Sequence, residues 1–271
     1  MKTSPKRLLL GVEYLGTAYH GWQRQTSAPS VQGTLEAVLS EISAHTVSTI
    51  CAGRTDAGVH ATCQYVHFDC HNPRPDKAWL KGANTLLPDD VSVFSVQEVD
   101  DEFSARFTAL DRTYTYLIHN AATRQGIMSK TTTWIHHPLD EKRMHQAAQS
   151  LLGEQNFSAF RSTHCQSHSV HRFVSEVSVK RYKDLVVFQI TANAFLHHMV
   201  RNLVGSLIEI GKGDQDINWI SELIKSEDRN LAGVTAPPNG LFLTRVRYPA
   251  ELGVSDEIRY PLYLDTNFAS G

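Results

Sequence analysis

One succession of patterns runs along the chain twice, and that repetition restricts the fold more than any single motif. "KRLLLGVEY" (6–14) reads as a strand, and Val31, Leu35, Val38, Leu39 and Ile42 then recur at helical spacing. Short strands are predicted at 46–52 and 62–69 about a glycine-rich loop, a second helix over 75–86, and an alternating strand in "VSVFSVQEV" (91–99). The second half opens with the strand "RTYTYLIH" (112–119), followed by a helix over 139–152 with Met144, Ala147, Ala148, Leu151 and Leu152 on one face. Strands at 173–181 and 185–192 flank the turn "YKD"; helices at 195–210 and 216–226 and a strand at 241–248 complete the series. The orders are βαββαβ and βαββααβ. A βαββαβ unit is the ferredoxin-like arrangement, an antiparallel sheet with helices on one face. The expected fold class is therefore α+β: two tandem ferredoxin-like βαββαβ halves, 1–104 and 105–271, with antiparallel sheets and a cleft between them.

Composition narrows the function classes. The chain has 271 residues, 41% hydrophobic and 20% charged, as expected of a soluble globular protein. A formal net charge of -2 counts against a protein that coats nucleic acid indiscriminately, but not against an enzyme with a local basic surface. The N-terminal run "MKTSPKRLLLGVEYLG" is interrupted by Glu13 and is too short and strand-like for a signal peptide. The longest apolar region, 195–210, contains His197, His198, Arg201 and Glu209 and is no membrane span. Four cysteines (51, 63, 70 and 165) are too sparse for a disulfide scaffold. The reading is a cytoplasmic protein with reduced thiols and no membrane partner.

The stretch "CAGRTDAGVHA" (51–61) sets Asp56 between Gly53 and Gly58, two residues after Arg54, with His60 beyond. Glycine serves where the backbone takes positive φ or a ligand comes close, and a nearby arginine favours an ionised carboxylate. By local chemistry alone Asp56 reads first as a turn residue bonding neighbouring N–H groups; Arg54 and His60 beside it raise the functional reading. The strand 112–119 places Arg112, Tyr114, Tyr116 and Ile118 on one face, a platform suited to stacking a base; packed tyrosines are the ordinary alternative. On the helix "FLHHMVRNLVGSLIEIG", positions 196, 199, 200, 203, 207 and 208 form an apolar stripe, with His198, Arg201, Asn202 and Gly205 beside it. Arg201 at that border calls for an anionic partner, or else snorkels to solvent.

Other motifs do not hold up. Gly205 to Gly213 lacks P-loop spacing, and Lys212 precedes glycine rather than Ser or Thr; Gly211 and Gly213 read as a helix end. Cys63, His67, Cys70 and His71 cluster without a CxxC pairing, and alternation puts Cys70 on the opposite strand face from 63 and 67. No metal is expected.

Taken together, "YLGTAYHGWQRQ" (14–25), "GRTDAGVHA", "FSARFTALDRTYTY" (103–116), "NFSAFR" (156–161), "ANAFLHHMVRNLVGSLIEIG" (192–211) and "GLFLTRVRY" (240–248) resemble the tRNA pseudouridine synthase A family over nearly the whole chain. The resemblance implies isomerisation of uridine to pseudouridine at positions 38–40 of the tRNA anticodon stem-loop, without metal or organic cofactor, by a homodimer with tRNA across both subunits. It implies that Asp56 is the essential catalytic residue and that Arg54 takes part in flipping the target nucleotide. Tyr114 then packs on the base, and Arg201 pairs with the carboxylate. The sequence departs from the family in "QSHSVHR" (166–172), where many relatives carry a proline before the arginine, and in the tail from 250.

An uridine in a stack must leave it before its glycosidic bond can be broken, at a cost of a few kcal/mol. The rival readings are a non-catalytic RNA-binding module, which needs no carboxylate framed by glycines, and a nucleoside hydrolase, which ordinarily needs a second carboxylate and releases free base.

Overall fold

A computed structural model of the protein describes residues 5–264 except 73, 164, 166 and 168. Gln166 and His168 of the departing segment, residues 1–4 of the N-terminal run and 265–271 of the tail lie outside the described residues. The strands are β1 (Lys6–Tyr14), β2 (Ile50–Cys51), β3 (His60–Cys70), β4 (Val91–Val99), β5 (Asp111–Asn120), β6 (Thr133–Ile135), β7 (Gly153–Asn156), β8 (His171–Tyr182), β9 (Leu185–Ala192) and β10 (Leu241–Arg247). The α-helices are α1 (Val31–Ser43), α2 (Ala83–Leu86, continuing a π-helical turn over Ala78–Gly82), α3 (Glu141–Ala148), α4 (Met199–Lys212) and α5 (Trp219–Ser226). No helix among the described residues is long and apolar enough to cross a membrane.

The chain divides into two compact units: Met1–Arg112 with Leu243–Pro261, and Thr113–Phe242 with Leu262–Gly271. The first unit has the expected βαββαβ order. Its strands lie in the order β4-β1-β3, antiparallel, and β2 and the end of β10 lie beside β3. Leu8 pairs with Phe68 and Leu10 with Val66, so these side chains share one face. That face takes the helices: Phe68 meets the fully buried Trp79 edge to face at 5.3 Å, and Leu35 and Leu39 of α1 are fully buried.

Leu9, Tyr65 and His67 point to the other face, which is also covered. Ala105 N–H donates to His67 Nδ1 (3.0 Å), Tyr248 OH donates to Ala105 O (2.7 Å), and Gln97 donates to Leu252 O (2.7 Å). Arg259 donates to Thr62 O (3.0 Å) and lies 4.0 Å from the Phe94 ring centre. Leu252 and Arg259, from the tail undetermined by sequence, thus help to cover the first unit's sheet.

The second unit orders its strands β5-β9-β8-β7, with β8 antiparallel to both neighbours and the short β6 parallel to β5. The α+β class and the antiparallel sheets expected from the sequence are observed. Differences have local causes. The strand expected over 46–52 shrinks to Ile50–Cys51 because side chains take the preceding backbone groups: Ser40 Oγ accepts Val47 N–H (2.8 Å) and Glu36 Oε1 accepts Thr49 N–H (2.7 Å). The helix expected from 195 starts at Met199, because His198 sits in the left-handed region (φ 63°) and cannot continue it. Of the two glycines expected at its end, Gly213 (φ 87°) is the cap, while Gly211 lies within the helix against Met144.

His67 carries a pH consequence. Burial first, and then the nearby Arg7, lower its pKa to about 4, while its Nδ1 accepts Ala105 N–H in the neutral form. A folded pKa below the unfolded value of about 6.5 means the unfolded chain binds more protons between them. The contribution is whole above pH 6.5 and is lost as pH falls towards 4. Urea unfolding across that range is expected to show a shallower pH dependence in His67→Asn, which keeps an acceptor but cannot titrate. Equal slopes in the two proteins contradict the assignment.

Candidate active site

The loop bearing Asp56 is held at nearly every peptide. At its start, Ala52 N–H donates to Tyr65 O (2.8 Å), and the Gln64 side chain bonds both the N–H and the carbonyl of Gly53 (3.3 and 2.5 Å). The Arg112 guanidinium donates to the carbonyls of Ala52 (2.9 Å), Arg106 (2.5 Å) and Ala109 (3.2 Å). Farther on, Thr55 O accepts Trp22 N–H (3.0 Å), Thr55 Oγ1 bonds Tyr14 OH (2.7 Å), and Val59 N–H closes the turn on Asp56 O (3.1 Å). Gly58 N–H donates to Tyr19 O (3.3 Å), and buried His60 accepts Gly16 N–H at Nδ1 (2.9 Å). His60 thus supports the fold of the loop.

The partner of this loop is the segment 14–25. Gly21 has φ 91°, and a Cβ there would lie 2.7 Å from Thr55 O and 3.1 Å from Asp56 C. Only a residue without a side chain permits that backbone approach. The segment is in turn tied to α1: Val31 N–H donates to Gly21 O (3.3 Å), Gln32 N–H to Trp22 O (3.0 Å), and Arg24 pairs with buried Glu36 (2.9 Å). Tyr19 OH donates to Asp90 (2.7 Å), and burial, then that bond, raises its pKa to about 12, so it stays a neutral donor.

Asp56 is therefore half-buried on a fixed loop, and Arg54, two residues before it, is exposed. Arg54 makes no hydrogen bond or ion pair among the described residues, and its side chain is open to solvent. The neighbouring thiol of Cys51 is pushed up to about 12, chiefly by burial, and is no nucleophile at neutral pH.

In the second unit Tyr114 lies on β5, buried, with Phe195 edge-on to its ring (4.9 Å, 81°). Arg201 is the third residue of α4 and half-buried. Its Nε donates to Ala236 O (2.8 Å), and its own carbonyl accepts Ala236 N–H (3.1 Å), so one edge of the guanidinium is fixed. The expected open platform of Arg112, Tyr114 and Tyr116 needs correction. Every residue of β5 but the last is buried. Arg112 is taken up by three carbonyls, and Tyr116 OH donates to Pro237 O (2.7 Å) and bonds Thr133 Oγ1 (2.6 Å). Burial raises the Tyr116 pKa, and nearby Arg201 only partly offsets this. Arg112 and Tyr116 are structural. Sequence reasoning did not single out Tyr14, Gly21, Gln32 or Phe195; the signal for the first three was the dense aromatic-glycine-amide run "YHGWQRQ" near them.

Comparisons with known proteins give the family of the chain. The family model described as tRNA pseudouridine synthase matches residues 11–108 and 147–249, a span that contains Asp56 with its supporting segment and Arg201. The tRNA pseudouridine synthase A of Shewanella denitrificans is 51% identical over 258 residues, 95% of this chain and 99% of that protein. Those of Photorhabdus laumondii (50% over 258 residues, 95% and 98%) and Vibrio campbellii (50% over 261 residues, 96% and 99%) are similar to the same extent. With a matching family model over most of its length and full-length relatives at this identity, the chain belongs to the tRNA pseudouridine synthase family.

Proposed function

We propose that Asp56 carries the uridine-to-pseudouridine isomerisation in tRNA that membership of this family gives the chain, and that the target lies at positions 38–40 of the anticodon stem-loop. The observation behind this reading is the loop itself, a carboxylate on a backbone fixed by hydrogen bonds on both sides and by the Gly21 contact. Fixing a reacting group before the substrate arrives removes the orientational cost from the chemical step. The net reaction breaks the bond from the sugar carbon C1′ to N1 of uracil and forms one from C1′ to C5. A proton leaves C5 and another is placed on N1, so composition is unchanged and no redox partner enters. Asp56 serves in this sequence as nucleophile or base.

Arg54, exposed and without a partner among the described residues, fills the space left by the flipped nucleotide or holds its phosphate. Tyr114 packs against the uracil with its ring edge set by Phe195, and Arg201 supplies positive charge to the ionised groups. The N-terminal half (1–104) thus contributes the Asp loop and the C-terminal half (105–271) the tyrosine strand and arginine helix. We read the protein as a cytoplasmic homodimer that receives tRNA across both subunits.

Asp56→Asn is expected to lower turnover by more than about 10²-fold and leave tRNA affinity within a few-fold. Tritium release from 5-labelled uridine in a tRNA transcript measures it, and activity above a hundredth of wild type removes Asp56 from the chemistry. Tyr114→Phe keeps the ring and loses the hydroxyl. Binding is expected to survive and single-turnover rate at saturating tRNA to fall by about 10²-fold, whereas an unchanged rate reduces Tyr114 to packing. Gly21→Ala strains a positive-φ position, at about 1–3 kcal/mol, and displaces the Thr55–Asp56 peptide. A lowered melting temperature with at least a tenfold loss of turnover is expected; wild-type turnover in a folded Gly21→Ala protein shows that the loop does not need this contact.

A further inference from the structure

A cavity of about 390 Å³ lies wholly within the second unit, lined by Arg161, Ser162, Asn202, Arg229, Asn230 and Thr235 among others, with no carboxylate in its lining. Arg229 is half-buried and bonds only neutral acceptors: Asn202 Oδ1 (3.1 Å), Thr235 Oγ1 (3.1 Å) and Ala232 O (3.3 Å). Loss of water lowers its pKa, and no anion among the described residues compensates. Arg161, exposed, makes no side-chain hydrogen bond or ion pair among the described residues. A guanidinium withdrawn from water ordinarily has an anionic partner, because leaving its charge uncompensated is costly.

The backbone around the cavity is also specified. A Cβ at Gly205 would lie 1.8 Å from Val234 O, and one at Gly233 would lie 2.9 Å from the backbone of Gly205 and Ser206. The strap 229–236 is therefore pressed onto α4, and Ser206 Oγ accepts Gly233 N–H (3.0 Å) there. Its end, Ala236, is the residue that holds Arg201. His198 and Asn202 bring the N-terminal turn of α4 into the lining, and the helix dipole there adds to the positive potential.

We infer that this cavity is a phosphate subsite, taking one backbone phosphate of the RNA substrate between the Arg161 and Arg229 guanidiniums. The inference rests on the RNA-modifying reading of the chain. Arginine forks match phosphate oxygens in pairs, and a phosphate seated here fixes the register of the strand relative to Arg201 without reading sequence. Both arginines are positioning residues in this account.

The test is the salt dependence of binding of an unmodified tRNA transcript to the full chain, for wild type, Arg161→Gln and Arg229→Gln. Each substitution is expected to weaken binding by about threefold to tenfold and to reduce the slope of log affinity against log salt by about one. Arg161→Gln is the clean arm, because Arg161 holds no part of the protein together. Unchanged affinity and slope in both variants overturn the inference. So does a loss in Arg229→Gln alone, which marks Arg229 as a tie for the strap. The same preparations are assayed for a mass-neutral uridine product resistant to alkaline removal of carbodiimide. Failure of wild type in that assay refutes the isomerase reading, while the slopes judge the subsite separately.

Discussion

The Trp22 amide donating to the Thr55 carbonyl is the bond on which the geometry of the Asp56 loop depends. It forms only because Gly21, immediately before it, has neither a side chain nor a preference for negative φ, so two backbones lie in contact. From there the connection runs inward. Trp22 O accepts Gln32 N–H, and the Gln32 side chain bonds Arg24 N–H (3.0 Å) and Glu36 (2.9 Å). Glu36 in turn accepts Thr49 N–H. A carboxylate on an irregular loop thus inherits the rigidity of a buried helix face, without any regular structure of its own. Loops with unpaired backbone groups move; this one has few such groups left.

A similar principle operates on α4. The helix begins at a residue in a left-handed conformation and is gripped near its start by a strap whose backbone replaces a side chain at Gly205. Ala236 bonds Arg201 through its amide and its carbonyl, so the orientation of that arginine is set by backbone rather than by another charge. Asn202, one residue on, is fully buried and satisfied by Phe160 O (2.7 Å), Thr235 (2.6 Å) and Arg229. In both units the glycines of the motifs serve as places where backbone meets backbone.

This explains which parts of the molecule were legible in the sequence. β1, β4 and β9 were read within a residue, since apolar alternation and flanking turns fix them. The short β6 and β7 were not: "TWI" and "GEQN" carry no periodicity, and they exist because a neighbouring strand offers a free edge. The loop aspartate was visible through its glycines, yet its supports were not, because a carbonyl accepting an amide 33 residues away leaves no mark in residue type. The β5 platform failed for a specific reason. Alternation tells which side chains share a face but not whether that face is open, and β5 is covered on both.

Charge follows the same distinction between what is counted and what is placed. The net charge of -2 suggests no attraction for a polyanion. Its acidic residues, however, are partly engaged by arginines within the fold: Asp69 by Arg7 (2.8 Å), Glu36 by Arg24 (2.9 Å), Glu141 by Arg181 (2.9 Å) and Asp111 by Arg247 (2.8 Å). In each pair the fields of the two charges largely cancel beyond a few ångströms. Arg54 and Arg161 are exposed and Arg229 half-buried, and all three lie outside such pairs among the described residues. A phosphate approaching the surface responds to the local potential and not to the sum over the chain. A nearly neutral protein can therefore present a local positive potential, as at the cavity shared by Arg161 and Arg229.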